Sequence, residues 1–403
     1  MLKDLIKLIL FILIKLIVKK KNLLVFGDRA GRRFADNSRH LFLYISLKYK
    51  IFKCVWISKD KKIIDYLRSK DFSAYHYKSL QGIYYCLRAK YHIFNFVEDD
   101  INKIITTFSN AILVWHGVLP KKLGKIKFET SKINRFINKK ISKFFIYPNE
   151  SMSKNILDRF PKGKYKLILS NLPRNLIFEE NMNNNLNYLR TKNEIIFINS
   201  IKKNKKNIYG YFPTWRVDGL EIFRDVTNFD QLKKTDQILG KTNSLILIKR
   251  HMNSEKKDEN ILYNKKIENI SKYLGGLKNF KFIDYAFDLN SVLKICDVLI
   301  SDYSGVVFDF LYLNKPIITY APDYDEFKKK PGFSFDPIKN NFTYPAYNLK
   351  QVNKYILQYS IDRKKFIGRH QQQRNIVKEI IFPNKNNIDN ILKAIKDSNK
   401  SLN

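Results

Sequence analysis

The chain has 403 residues and 44% of them are hydrophobic, enough for two ordinary cores and too many for wholesale disorder. Its 75 Lys plus Arg against 37 Asp plus Glu leave a formal charge of +38, which points to polyanionic surroundings: nucleic acid, anionic lipid, or a phosphate-rich substrate or product. Three scattered cysteines, Cys54, Cys86 and Cys296, exclude a disulfide framework and a zinc site and read as a reducing compartment.

The chain starts "MLKDLIKLILFILIKLIVKKKN". On a helix, Lys3, Asp4, Lys7 and Lys15 share a narrow polar stripe and the rest is apolar. The unbroken apolar run Leu8 to Ile14 is far short of the roughly 20 residues that a spanning helix needs. No small-residue cleavage site follows, which reads against a removed signal peptide. The pattern predicts a helix lying in a membrane interface, with Lys19, Lys20 and Lys21 at anionic headgroups. The competing reading is a helix packed on the protein's own body.

The globular part opens with "NLLVFGDRAGRRFADNSRHLFLYI": a short apolar strand, a Gly-containing turn, and a helix from about Asn37. Strand-like runs recur at "FKCVWIS", "YHIFNF" and "AILVWHG", alternating with helical stretches such as "KSLQGIYYCLRAK", and "FFIYPNESMSKNIL" continues the series. Residues 181 to 206 are Asn- and Lys-rich apart from a short apolar patch, and mark the domain joint. A second series follows: "NIYGYFPTWR", "SLILIKRH", "FKFIDY", "CDVLISDYSG" and "KPIITYA", then helices from about Gln351. Such alternation predicts α/β architecture with mainly parallel sheets. Two similar halves should face across a cleft, with ligands at the carboxyl ends of the strands. The expected segments are an amphipathic helix over 1–21, a first domain over 22–185, and a second over 186–403 that includes the C-terminal helices.

The strand ends carry the chemistry. "CDVLI" reads as a buried strand, "SDYSG" as the turn at its carboxyl end, and "VVFDFLYLN" as a helix with an apolar stripe at Val306, Val307, Phe310, Leu311 and Leu313. Ser304 is a suitable N-cap, Gly305 permits close approach to the backbone, and free N–H groups at such a helix start suit a phosphate. "VWHGVLPKKLGK" puts His116 and Gly117 just after an apolar strand, beside Lys121, Lys122 and Lys125. His251 follows another strand with Lys249 and Arg250, "YFPTWR" ends a third with Pro213, Thr214 and Arg216, and "NLPRN" offers Arg174. Several cationic or imidazole-bearing strand ends in one chain look like a phosphate site.

In order and spacing, "VWHGVLPKKLG", "NLPRN", "YFPTWR", "IKRH" and "ISDYSGVVFDFLYLNKPII" resemble the CDP-glycerol glycerophosphotransferase family, over about Val25 to Tyr347. The family builds teichoic acids and related glycerol- or ribitol-phosphate polymers of the cell wall and capsule. The resemblance implies a GT-B fold of two Rossmann-like domains with the donor between them. It makes His116 the catalytic base and His251 a second histidine at the donor phosphates. It places Arg174, Thr214, Arg216, Lys249, Ser304, Gly305 and Asp309 along the CDP-linked donor, with Gly117, Pro213, Arg250, Ser301 and Asp302 as their motif neighbours. The chain departs from the family pattern at Val118-Leu119, at Gly305 where a second Ser is frequent, at Asn171, and at Pro331-Gly332. These departures bear on which alcohol phosphate is carried.

The implied reaction moves an alcohol phosphate, glycerol phosphate first among the choices, from a CDP-alcohol to a lipid-linked saccharide or polyol-phosphate acceptor and releases CMP. It needs no cofactor. No paired carboxylates suggest a metal site, and Asp302 and Asp309 are expected to hold backbone or nucleotide hydroxyls. The expected location is the cytoplasmic face of a membrane, held peripherally by its anionic surface. Two other readings stay open: a GT-B glycosyltransferase using a nucleotide-diphosphate sugar, and a basic nucleic-acid-binding protein. Against the latter, the aromatics are spread through apolar strands and no nucleic-acid module is legible, so no nucleic-acid partner is expected.

Overall fold

In a computed structural model, residues 2–124, 132–161, 164–178, 191–203, 207–214, 223–249, 270, 272–284, 287–383 and 387–400 are described. The chain divides into two compact units. Unit 1 comprises Met1–His116, Leu123–Leu186 and Phe382–Asn403; unit 2 comprises Gly117–Lys122 and Asn187–Ile381.

Unit 1 is built on β1 (Lys20–Gly27), β2 (Lys53–Ser58), β3 (Ala74–His76), β4 (Ala89–Phe94), β5 (Ala111–Leu113), β6 (Lys143–Tyr147) and β7 (Lys166–Leu169). They pair in parallel in the order β3-β2-β1-β4-β5-β6-β7. Parallel strands are covered on both faces, so their central runs read as continuous apolar stretches. Leu24, Val25, Phe26, Val55, Trp56, Ile93, Phe94, Ile112 and Leu113 are all buried. A helix α1 (Leu2–Leu16) precedes β1, and the helices between the strands are α2 (Asp36–Lys48), α3 (Lys61–Arg68), α4 (Leu80–Arg88), α5 (Lys103–Thr107), α6 (Lys132–Lys140) and α7 (Glu150–Leu157). Local sequence explains several starts: Asp60, Ser79, Asn102 and Asn149 each accept a backbone N–H of the following first turn. Each such cap contributes about 1 kcal/mol.

Unit 2 repeats the plan with β8 (Asn207–Tyr211), β9 (Ser244–Ile248), β10 (Phe280–Phe282), β11 (Val298–Ser301), β12 (Ile317–Tyr320) and β13 (Tyr344–Ala346), parallel in the order β10-β9-β8-β11-β12-β13. Its core sets Tyr209, Tyr211, Ile246, Ile248, Val298, Ile300 and Ile318 against Leu349, Val352 and Ile356 of the helix Leu349–Ile361. In each sheet the strand order reverses beside the first strand of the series, between β1 and β4 and between β8 and β11. Carboxyl-end loops diverge at such points and leave room for a ligand.

Three expectations change. The polar joint contains a helix, Lys192–Lys203, whose Ile198 and Ile201, three apart, are buried on one face. The helices up to Ile381 lie in unit 2 as expected, but Phe382–Asn403, placed with the second domain on sequence, belongs to unit 1. There Asn390 Nδ2 donates to the Leu169 carbonyl at 2.8 Å, and the hydroxyls of Tyr44 and Tyr49 donate to Asp389 Oδ1 at 2.9 and 2.7 Å.

The third concerns α1, which is both packed and exposed. Phe11 and Ile14 are buried against Phe108, Ile137 and Ile141, while Leu5, Ile9, Leu13 and Leu16 stay 48–73% exposed. Lys19 is not presented outward as expected: its Nζ donates to the Leu87 carbonyl at 2.5 Å, and burial with neighbouring Lys15 pulls its pKa down to about 8. Lys20 already belongs to β1, with its ammonium over the Tyr84 ring. No helix among the described residues is long and apolar enough to cross a membrane.

Candidate active site

In unit 1 the carboxyl ends of β1, β4 and β5 converge with the start of α2 and the turn after β7. His116 follows β5, and its imidazole lies 4.3 Å from the Trp115 ring and 5.6 Å from the ring of Phe96, centroid to centroid. Trp115 is buried, whereas Phe96 is 46% exposed. Arg174 sits in the turn after β7 and its Nη1 donates both to Asp36 Oδ1 (2.9 Å) and to the carbonyl of His116 (2.7 Å). Asn37, next along α2, accepts the Arg174 backbone N–H at 3.0 Å and donates through Nδ2 to the Trp115 carbonyl at 2.9 Å.

Charge at this end is tightly organised. Burial alone would push the Asp36 carboxyl up, but Arg174, Arg29 and His116 outweigh it and hold it below the usual carboxylate range. Asp28, at the tip of β1, behaves oppositely. Burial and then the charge of Asp36 push it well above the usual range, although Asn95 Nδ2 donates to its Oδ1 at 2.6 Å. Its Oδ2 has no hydrogen-bond partner among the described residues. Neighbouring cations thus favour the anion at Asp36, whereas burial disfavours it at Asp28.

The backbone here is strained. Arg29, Ala30, Asp36 and Trp115 take φ values of 48°, 53°, 58° and 54°, a left-handed region that disfavours L-residues. Gly117 has φ 133°, which only glycine adopts readily. Strain of this kind collects where surrounding contacts fix a functional geometry.

Unit 2 gathers the other predicted residues at the ends of β8, β9 and β11. Asp302 Oδ1 accepts the Thr214 backbone N–H at 2.8 Å, and Ser301 Oγ donates to the Phe212 carbonyl at 2.6 Å, tying the end of β11 to the turn at Pro213. Lys249 Nζ donates to the carbonyls of Phe287 (2.8 Å) and Asp284 (3.3 Å), so its ammonium is anchored just beyond β9. Asp309 is buried. Arg216, Arg250 and His251 lie outside the described residues.

The phosphate turn differs in detail from the sequence reading. The helix Val306–Phe310 is a single turn continued by a 3₁₀ turn, Leu311–Leu313, and Gly305 is its N-cap. Ser304 does not cap it in the expected way; its Oγ stands 3.5 Å from the Val306 N–H, at the edge of hydrogen bonding. Gly305 is in ordinary helical conformation, φ −59°, so its lack of a side chain serves contact and not torsion. The space where its Cβ would project is filled by the Val118 carbonyl. Val118 belongs to the strap Gly117–Lys122, which unit 2 grips through the Ser334 and Phe335 N–H groups on the Pro120 carbonyl (2.8 and 3.0 Å). The Lys122 N–H on the Gly332 carbonyl (2.9 Å) completes the grip.

The structure therefore brings together His116 and Arg174 in unit 1, and Gly117, Pro213, Thr214, Lys249, Ser301, Asp302, Ser304, Gly305 and Asp309 in unit 2. Sequence reasoning missed Asp28, Asp36, Asn37, Asn95 and Phe96. The one available signal was "GDRAG…ADN", a polar, Gly-punctuated turn after the first buried strand. Among the described residues, no group of three or more His, Cys, Asp or Glu side chains could hold a metal ion.

The profile of the CDP-glycerol:poly(glycerophosphate) glycerophosphotransferase family matches residues 9–395. The chain is 30% identical over 355 residues to a teichoic acid poly(glycerol phosphate) polymerase of Bacillus spizizenii, covering 81% of each protein. It is 26% identical over 387 residues to a teichoic acid glycerol-phosphate transferase of Staphylococcus aureus, covering 88% of this chain and 90% of that one. Its fold is similar to that of the wall teichoic acid polymerase TagF, with a TM-score of 0.66 and 19% identity over 99% of this chain and 97% of that one. With two doubly wound units, an imidazole and cations at their strand ends, and a match across nearly its whole length, the chain belongs to the CDP-glycerol glycerophosphotransferase family.

Proposed function

We propose that the chain transfers glycerol phosphate from CDP-glycerol to a hydroxyl of a lipid-linked saccharide or polyol-phosphate acceptor, with His116 as general base. The observation that carries this is the seating of His116: its backbone carbonyl is fixed by Arg174, and its ring stands beside half-exposed Phe96. An acceptor hydroxyl has a pKa far above neutrality, so its proton must leave as the oxygen attacks. The acceptor oxygen forms a bond to the glycerol-bearing phosphorus, and the anhydride P–O bond to CMP breaks. The acceptor proton passes to the imidazole, and CMP departs with the anhydride electrons. Charge growing on the phosphoryl and bridging oxygens suits His251, Arg216 and Lys249 and the N–H groups around Ser304 and Gly305. Asp302 serves by shaping the turn at Pro213 and Thr214, since it already holds the Thr214 backbone.

The reading is tested with purified protein, a panel of CDP-alcohols and a lipid-linked acceptor, following product mass and the nucleotide released. CMP with a product heavier by one glycerol phosphate is the expected result. Release of a nucleoside diphosphate from a sugar donor would overturn it in favour of a glycosyltransferase.

The same reading places the enzyme on the surface of an anionic membrane. Leu5, Ile6, Ile9, Ile12, Leu13 and Leu16 leave one face of α1 apolar and exposed. Beside it lies α6, with exposed Phe136 at 6.3 Å from Phe11 and with Lys139 and Lys140 in its last turn. An apolar face flanked by lysines is suited to the boundary between headgroups and acyl chains.

A further inference from the structure

We infer that Asp36 and Arg174 form a positioning pair that holds the His116 imidazole in its working orientation, so that Arg174 is a support of the base and not a ligand of the donor. The inference rests on the reading of His116 as the base. Arg174 Nη1 bridges Asp36 Oδ1 and the His116 carbonyl, at 2.9 and 2.7 Å. The two side chains retain 14% and 9% of their exposure, so the pair is shielded from water and salt. Asn37 completes the grip: it accepts the Arg174 N–H and donates to the carbonyl of Trp115. Asn37 on α2 and Arg174 in the turn after β7, themselves hydrogen-bonded to each other, thus fasten the successive carbonyls of Trp115 and His116, one bond each.

The fastening has a reason. Trp115 is left-handed at φ 54°, a conformation that a bulky residue keeps only when its surroundings over-determine it. Asp36 is itself left-handed at φ 58°, which presents Oδ1 to Arg174 and to the N–H of Asn37 at 2.9 Å. Remove the pair and the 115–116 peptide is free to relax toward an ordinary conformation, which turns the imidazole away from the acceptor. Arg174 Nη1 is already engaged by Asp36 and by the His116 carbonyl, so its role in the pair needs no donor phosphate.

The test uses the full chain with Arg174→Met, Arg174→Lys, Asp36→Asn and the double variant Asp36→Asn/Arg174→Met. Asn tolerates the left-handed region, so Asp36→Asn removes charge while keeping the backbone. Arg174→Met should lower kcat about 10- to 100-fold, the scale expected when a reacting group is displaced by about 1 Å. CDP-glycerol affinity should be unchanged. Asp36→Asn should lower kcat in the same direction, and the double variant should lose no more than Arg174→Met alone, because one device is lost only once. Added guanidinium should restore part of the rate to Arg174→Met, which a merely structural loss would not allow.

A raised donor Kd with kcat intact would overturn the inference and make Arg174 a donor ligand; additive losses in the double variant would also overturn it. If Arg174→Met does not fold, Arg174→Lys and Asp36→Asn carry the same test. His116→Ala, assayed alongside, separates the two readings. If it keeps its rate, the base is misassigned. If it loses its rate while Arg174→Met keeps its own, only the positioning pair is wrong.

Discussion

The carbonyl of Val118 fills the space into which a side chain on Gly305 would project. The glycine of the phosphate turn thus admits a piece of the protein's own chain, the strap that begins directly after His116. A side chain at 305 would push first on that strap.

Gly305→Ala is therefore expected to destabilise unit 2 by about 1–3 kcal/mol, the usual consequence of overpacking. The transfer rate should fall as well, because the strap and His116 are consecutive in sequence. Thermal melting and kcat check both. A variant with unchanged melting and unchanged rate would show that the strap yields without consequence.

The two histidines should separate by role. His116→Ala should lower kcat by at least about 10²-fold, the smaller end of what general-base catalysis contributes, and leave CDP-glycerol affinity nearly intact. His251→Ala should weaken both rate and donor affinity. More than about a tenth of the wild-type rate in His116→Ala would remove it from the role of base.

Asp28 should give a pH signature in stability. Burial raises its folded pKa above the unfolded value, so the native state keeps a proton that the unfolded chain has lost. Its contribution to stability therefore falls as pH rises through the window between those two values, starting near about pH 4. Asp28→Asn lacks this titration. The melting temperature of Asp28→Asn relative to wild type should rise as pH is raised from acid to neutral. A difference that is flat with pH, or that shrinks, would place the proton elsewhere.

Both faces of α1 can be tested apart. Phe11→Ala should cost stability, about 3–5 kcal/mol for a buried Phe, because its ring packs against Phe108 and Phe136. Leu13→Asp, on the exposed face, should leave melting nearly unchanged while sharply reducing flotation with anionic vesicles. Deleting residues 1 to 21 is a poorer probe, since it removes the start of β1 and uncovers Ile137 and Ile141. Equal flotation of Leu13→Asp and wild type would show that α1 does not hold the membrane.

The sequence by itself determined what is local. "AILVW", "SLILI" and "VLIS" are continuous apolar runs because parallel strands are buried on both faces, and the residues just past each run sit at the sheet's carboxyl edge. Two α/β series, a polar joint and the positions of His116, Lys249 and Ser304 at strand ends follow from that periodicity alone. Edge strands such as Ala74–His76 and Tyr344–Ala346 escaped because three residues carry too little pattern to declare a period.

Only the tertiary structure decided which residues meet within each unit. Asp36 and Arg174 are separated by 138 positions, yet one hydrogen bond joins them. Nothing in "FADNSR" or "NLPRN" states the partner, because that pairing is set by strand order and by the packing of α2 over the sheet. The same is true of Gly305, whose missing side chain reads as room for a phosphate until the fold brings Val118 against it. Local composition encodes which torsions and which faces a segment prefers. The contacts that orient an imidazole or close a backbone gap depend on distances across the whole chain, which exist only once both sheets have assembled.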